Sequence, residues 1–204
     1  MMTPKGMMSP KIDYKLLGQA LGEYEKRGYR YVEVPWAVSE DHIRATLPEQ
    51  FPSMEIGLPV INGTNPDELY PICDDNHLVG SAEQGFLALG LPEGAYVGIT
   101  PCFRFEPYFD LFHRPMFMKI ELFVTVPYTT GDRVMADAKE VMSLYLPSGS
   151  RLDEVKTDEG FDLEIGGAEV GSYGVRSFRD TTWAYGTGLA LPRFSVVKAI
   201  DSVI

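Results

Sequence analysis

The run FRFEPYFDLFHRPMFMKIE, residues 103–121, holds two stretches of alternating side chains on either side of a loop. On an extended chain, side chains two apart share a face. Arg104 and Glu106 therefore point one way, and Phe103 and Phe105 the other. In the second stretch Met118, Ile120, Leu122, Val124 and Val126 make an apolar face, with Phe117, Lys119, Glu121, Phe123 and Thr125 opposite. If the strands Gly94 to Glu106 and Met116 to Val126 pair, Arg104, Glu106, Phe117, Lys119 and Glu121 line one floor. Such a floor, half charged and half aromatic, suits an anion, a cation and a flat base held together. Taken alone, the same alternation also describes a solvated sheet face, whose cross-strand ion pairs contribute about 0.2–1 kcal/mol each.

Outward from this hairpin, Asp13 to Arg27 reads as an amphipathic helix with Leu16, Leu17, Ala20, Leu21 and Tyr24 on one stripe. Tyr29 to Pro35 reads as a strand, and Ser81 to Leu89 as a short helix closed by Gly90 and Pro92. Gly131 to Tyr145 is a second amphipathic helix. Phe161 to Gly171 reads as a hairpin turned at Gly166-Gly167, a pair that tolerates the positive φ of a tight turn. A strand over Trp183 to Leu191 and a terminal helix beginning near Pro192 close the chain. Strands and helices cluster instead of alternating. That pattern predicts an α+β fold, an antiparallel β-sheet flanked by helices. A length of 204 residues suits one domain spanning 1–204.

Composition narrows the function classes. With 45% apolar and 23% charged residues, wholesale disorder is excluded. No apolar run approaches the roughly 20 residues needed to span a bilayer, and Met1 to Pro10 lacks a signal-peptide pattern. Two cysteines, Cys73 and Cys102, make no disulfide framework, so a reducing, cytoplasmic setting is expected. The net charge of −11 argues against a free-standing DNA binder, while leaving room for a local basic groove.

The second chemical signal is Gly186-Thr187-Gly188-Leu189-Ala190-Leu191-Pro192-Arg193. It is not a P-loop, since no Gly-Lys-Ser/Thr follows, and it lacks the third glycine of a dinucleotide fingerprint. It is a small-residue strand running into a helix whose first turn holds Pro192, so Arg193 sits where a helix start already favours anions.

Together these stretches resemble class II aminoacyl-tRNA synthetases. Phe103-Arg104-Phe105-Glu106, a loop, then Phe117-Met118-Lys119-Ile120-Glu121 looks like motif 2, nearest to the seryl-tRNA synthetase pattern. Gly186 to Arg193 looks like motif 3, and the helix ending at Arg27 with the strand to Pro35 looks like motif 1, the family's dimer element. The resemblance covers most of the chain and implies a catalytic core that activates an amino acid with ATP as its adenylate. It implies Arg104 on the α-phosphate, Glu106 at the adenine and Phe117 stacked on it. His113 and Arg114 would help with the distal phosphates, Arg193 would hold the γ-phosphate, and Gly186 and Gly188 would admit the nucleotide close to backbone. Arg104 and Arg193 are the implied catalytic residues. Glu121 would take the substrate's amino group, and Ser81-Ala82-Glu83 resembles the family's Thr-x-Glu element with serine in place of threonine. Ser81 with Gln84 equally satisfies a capping box. The resemblance implies Glu169 and Ser172 as the pair that would hold Mg²⁺ on ATP, with Glu164 as an acidic neighbour. Zinc at Cys73, Cys102 and His77 lacks a ligand spacing, so Cys102 is expected to be structural. Trp183 and Tyr185 fit either the substrate pocket or the core. Read as it stands, the chain leaves no room for an N-terminal arm or an anticodon-binding domain. The acceptor is then a tRNA, a carrier protein, a protein lysine or a small amine, and the chain a homodimer. The alternative is a non-catalytic synthetase-like module that senses an amino acid or ATP and regulates a partner.

Overall fold

The computed structural model describes residues 11–46, 76–104, 110, 112–125, 127 and 130–201. Asp13 opens the first helix by accepting the Leu16 N–H at 2.9 Å. The helix, α1 (Tyr14–Lys26), buries Leu17, Ala20 and Tyr24, and Gly28 just beyond it takes φ 91°. β1 (Arg30–Tyr31) follows, shorter than the periodicity to Pro35 predicts, and runs parallel to β4 (Ala95–Phe103). β5 (Met116–Val124) is antiparallel to β4, in unbroken register from Ala95↔Val124 to Phe103↔Met116. Beside β5 lies β9 (Thr181–Leu191), then β8 (Ala168–Phe178), β7 (Gly160–Ile165) and β6 (Asp153–Lys156). Among the described residues the sheet has the order β1-β4-β5-β9-β8-β7-β6, antiparallel except at β1. Gly166 and Gly167 turn β7 into β8 at φ 58° and 80°, but β8 continues to Phe178, well past the expected Gly171.

The sheet separates two hydrophobic layers. Ile120, Leu122 and Val124 of β5, with Leu163, Leu189 and Leu191, pack on α1, on α4 (Gly131–Ser143) and on α5 (Arg193–Asp201). Among the described residues, α3 (Ala82–Leu89) covers part of the opposite face. There Phe86 stacks on Phe123 at 5.0 Å between centroids, and Phe123 on Trp183 at 5.7 Å. A small satellite forms where β2 (Ala37–Ser39), α2 (Glu40–Arg44) and β3 (Asn76–Leu78) gather around Val38, Ile43 and Val79. Among the described residues no helix is long and apolar enough to cross a membrane.

A β-bulge shapes the strand that leads to Arg193. Ile120 faces Leu189 and Glu121 faces Thr187, so Gly188 is the extra residue. Bulges unpair part of a ladder. Here two buried tyrosines donate to the local carbonyls, Tyr24 to Gly188 at 2.9 Å and Tyr173 to Thr187 at 2.7 Å. Their rings also explain the glycines. A Cβ on Gly186 would lie 2.5 Å from Tyr173 and 2.7 Å from Val134. One on Gly188 would lie 2.7 Å from Ile120 and 2.9 Å from Tyr24. Both absent side chains thus face the apolar core, and packing alone demands glycine there. Gly186→Ala should overpack that core and lower stability by about 1–3 kcal/mol, read as a reduced urea midpoint at unchanged m-value.

Candidate active site

On the face of the sheet that carries α3, the pleat brings polar side chains into rows. Register places Gly98, Glu121 and Thr187 in one row across β4, β5 and β9. The row continues through Ser172, whose N–H donates to Thr187 Oγ1 at 3.4 Å, to Asp162, the register partner of Ser172. Thr100, Lys119 and Ala190 form the next row. Lys119 and Glu121 are buried, so this floor is not the solvated ion-pair face that alternation alone allows.

One end of the face is a buried polar cluster under the start of α3. Ser81 caps the helix by accepting the Glu83 N–H at 3.3 Å, and its hydroxyl donates to Glu121 at 2.6 Å. Lys119 Nζ donates to Glu121 Oε1 at 2.7 Å. Glu83, only 2% exposed, accepts from Trp183 Nε1 at 2.6 Å and from Arg176 at 2.7 Å. Ser81 and Glu83 from one stretch of sequence and Glu121 from another therefore meet in one cluster. The capping box closes differently from the expected form, because Gln84 accepts from the Gly80 N–H instead of that of Ser81. Burial pushes the Glu83 carboxyl above its ordinary range against the pull of Arg176, and the neighbouring Glu121 charge adds to the rise. Burial also acts on Glu121, but the Lys119 ammonium and the hydrogen bonds from Lys119, Ser81 and Glu83 outweigh it and hold that carboxyl low. Two adjacent carboxylates are thus pushed apart by their surroundings.

Arg176 is the residue that sequence reading missed. Its guanidinium lies 4.0 Å from the Tyr185 ring centroid and also reaches Glu159 at 3.1 Å. Counting by twos from Ser172 along β8 places it on the same face, a signal present in the sequence. Trp183 and Tyr185 are both buried in the core, and each touches the polar cluster, Trp183 through Glu83 and Tyr185 through Arg176.

The other end carries the arginines. The exposed Arg104 follows β4, its N–H donating to the Pro115 carbonyl at 3.0 Å and its guanidinium lying 5.2 Å from the Phe117 ring centroid. Glu106 lies outside the described residues. Arg193, the first residue of α5, donates to the Phe112 carbonyl at 3.2 Å and stands 3.7 Å from Glu169. The Pro192 carbonyl accepts the Val196 N–H, so the proline precedes the helix instead of entering it. His113 and Arg114 belong to the loop that Arg193 touches. Asp110 shapes that loop, accepting the N–H groups of Phe112 at 2.7 Å and His113 at 2.6 Å. Hydrogen bonds from His113 foremost draw the Asp110 carboxyl down to about 2.

Oxygen donors cluster beside Arg193. Glu164 and Glu169 are register partners, as are Asp162 and Ser172. Burial raises the Asp162 carboxyl, with Glu169, Glu164 and Glu159 adding to the rise and the Ser172 hydroxyl opposing it. Such crowding of negative charge fits a hard cation like Mg²⁺, which takes one or two carboxylates, waters and phosphate oxygens. Among the described residues no three His, Cys, Asp or Glu side chains converge to hold a metal unaided. Cys102 is fully buried, its thiol pushed up to about 11 by burial, as suits a core residue. His77 sits in β3, and Cys73 lies outside the described residues.

Solved structures that match this architecture include class II aminoacyl-tRNA synthetases. Cytoplasmic serine-tRNA ligase from Naegleria fowleri, in complex with AMP, matches 92% of this chain and 48% of its own, with TM-score 0.68 and 17% identity. Seryl-tRNA synthetase from Pyrococcus horikoshii, complexed with ATP, matches 93% of this chain and 50% of its own, with TM-score 0.70 and 20% identity. Pyrrolysyl-tRNA synthetase from Desulfitobacterium hafniense matches 91% and 69%, with TM-score 0.65 and 14% identity. The chain thus spans about half the length of the two seryl enzymes. No protein-family model matches it, and no curated protein sequence does.

Proposed function

We propose that this chain, which has the class II aminoacyl-tRNA synthetase catalytic-core fold, activates an amino acid with ATP and passes the aminoacyl group to a tRNA or another acceptor. The observation that carries the reading is one sheet face with a buried cluster of two ion-paired carboxylates at one end and two arginines flanking a loop at the other. Such a face matches a substrate with an ammonium group next to a nucleotide triphosphate.

The substrate carboxylate is already ionised at neutral pH, so its attack on the α-phosphate needs no general base. Catalysis then rests on alignment and on charges fixed before the reaction. Arg104 neutralises the α-phosphate, and Phe117 offers its ring to adenine beside that guanidinium. Arg193 grips the pyrophosphate end, exchanging its long contact with Glu169 for a phosphate oxygen. Glu169 and Ser172 would hold Mg²⁺, which supplies charge neutralisation for the phosphates against the nearby carboxylates. Homodimerisation through α1 and the residues up to Pro35, in a cytoplasmic setting, completes the reading.

Asp110 organises the loop without reaching the reacting atoms, so Asp110→Ala should raise KM for ATP severalfold while kcat changes little. The decisive experiment is ATP–pyrophosphate exchange with each of the twenty amino acids. Exchange dependent on one or a few of them is expected. ATP binding with no exchange for any amino acid would mark a binding module instead.

A further inference from the structure

We propose that the Lys119–Glu121 ion pair is the docking point for a zwitterion: a free amino acid inserts between the two side chains, its ammonium on Glu121 and its carboxylate on Lys119. This rests on the activation reading and assigns Lys119 a role in choosing the substrate's chemical class.

Every carboxylate oxygen in the buried cluster already accepts a hydrogen bond from the chain itself. Trp183 and Arg176 serve the two oxygens of Glu83. Lys119 serves one oxygen of Glu121, while Ser81 Oγ and the Glu83 N–H share the other. Inside the cluster Lys119 faces Glu121 and Arg176 faces Glu83, with Glu159 adding a third carboxylate at the solvent edge beyond Arg176. An ammonium arriving at Glu121 therefore finds both carboxylate oxygens occupied and must replace the cation there.

The two cations are not held alike. Arg176 is clamped between Glu83 and Glu159 with its guanidinium over Tyr185. Among the described residues, Lys119 has a single hydrogen-bond partner, Glu121, at the end of a flexible four-carbon stem. Lys119 is the one that yields. Its side chain is only 11% exposed, so it cannot simply be left without an anion. A ligand bringing both charges resolves this, because the pair is opened and both ends are paired again. An amine without a carboxylate strands Lys119. A carboxylic acid without an amine strands Glu121. Lys119 lies two residues from Phe117 on the same strand face, so the captured carboxylate rests on the side where the nucleotide is proposed to bind.

Titration calorimetry of the full chain with each of the twenty amino acids and its matched amino alcohol tests the idea, alongside pyrophosphate exchange. The wild-type protein should bind its amino acid at least about tenfold more tightly than the alcohol, the scale of coupling between close charges. In Lys119→Met the alcohol's ammonium becomes the cation of Glu121, while the amino acid's carboxylate has lost its partner. The gap should therefore close to within about threefold. Lys119→Arg should keep it open. An amino alcohol binding as tightly as its amino acid in the wild type overturns the inference, and so does an undiminished gap in folded Lys119→Met. Exchange activity without discrimination sinks the inference and leaves activation standing. Discrimination without exchange does the reverse, and failure to bind any amino acid removes both.

Discussion

Replacing Arg104 by alanine is expected to lower amino-acid-dependent ATP–pyrophosphate exchange by about 10²–10³-fold, while the melting temperature stays close to that of the wild type. The rate loss corresponds to removing one preorganised donor from a developing charge, about 2.7–4 kcal/mol. The unchanged stability follows from position. Arg104 is exposed, and its recorded side-chain contact is the face of Phe117, worth about 0.5–1 kcal/mol at such a site. Few structural roles combine so little effect on folding with so large an effect on rate. A folded variant with undiminished exchange would take Arg104 off the α-phosphate. Arg193 is a less clean probe, because it also braces the Phe112 carbonyl and faces Glu169.

Removing Arg176 should do the opposite and strike stability first. Arg176→Met leaves the Glu83 carboxylate buried with Trp183 as its remaining side-chain donor. Stranding a buried charge costs about 3–5 kcal/mol, and the 23% exposure of the Arg176 side chain points to the lower end. Adding Glu83→Gln should recover most of the loss, since the amide needs no counter-charge. A double mutant no more stable than Arg176→Met alone would show that the loss comes from the stacking on Tyr185.

The pH dependence has a definite sign. Glu83 has a raised folded pKa, so its contribution is favourable at low pH and is lost as pH rises through that value. Glu121, held low, contributes above the ordinary glutamate pKa and loses that contribution as pH falls through its folded value. The two oppose each other in the wild type. Without Arg176 the Glu83 pKa climbs further, so the deficit of Arg176→Met should be largest at neutral pH and shrink on acidification as Glu83 takes up its proton in both proteins. Urea midpoints of both proteins from neutral to acidic pH measure it. A deficit independent of pH would detach the loss from Glu83 ionisation.

Much of the architecture was legible because local rules agree with one another. Asp13 caps the helix it announces, Gly166 and Gly167 take the positive φ that their hairpin needs, and β4 pairs β5 in the register that alternation implies. The polar cluster under the start of α3 was half legible. Ser81 and Glu83 were singled out from one segment and Glu121 from another, but nothing local shows that Ser81 donates to Glu121 across 40 residues of chain. Arg176 was overlooked because an arginine late in a strand carries no motif. Its partner Glu83 is 93 residues away.

Spacing and side-chain type were enough to fix the α+β class, the paired strands and which residues share their polar face, since the period of a strand depends only on its own backbone. What spacing left open was decided by contacts between distant segments. The glycines at 186 and 188 look like a nucleotide cradle in sequence, yet their missing side chains face Tyr173, Val134, Ile120 and Tyr24 in the core. Two acids of one chemical type hold their protons differently because burial weighs on Glu83 while Lys119 and three hydrogen bonds steady Glu121. Charge and steric fit act through space, and only the folded chain determines which groups are neighbours.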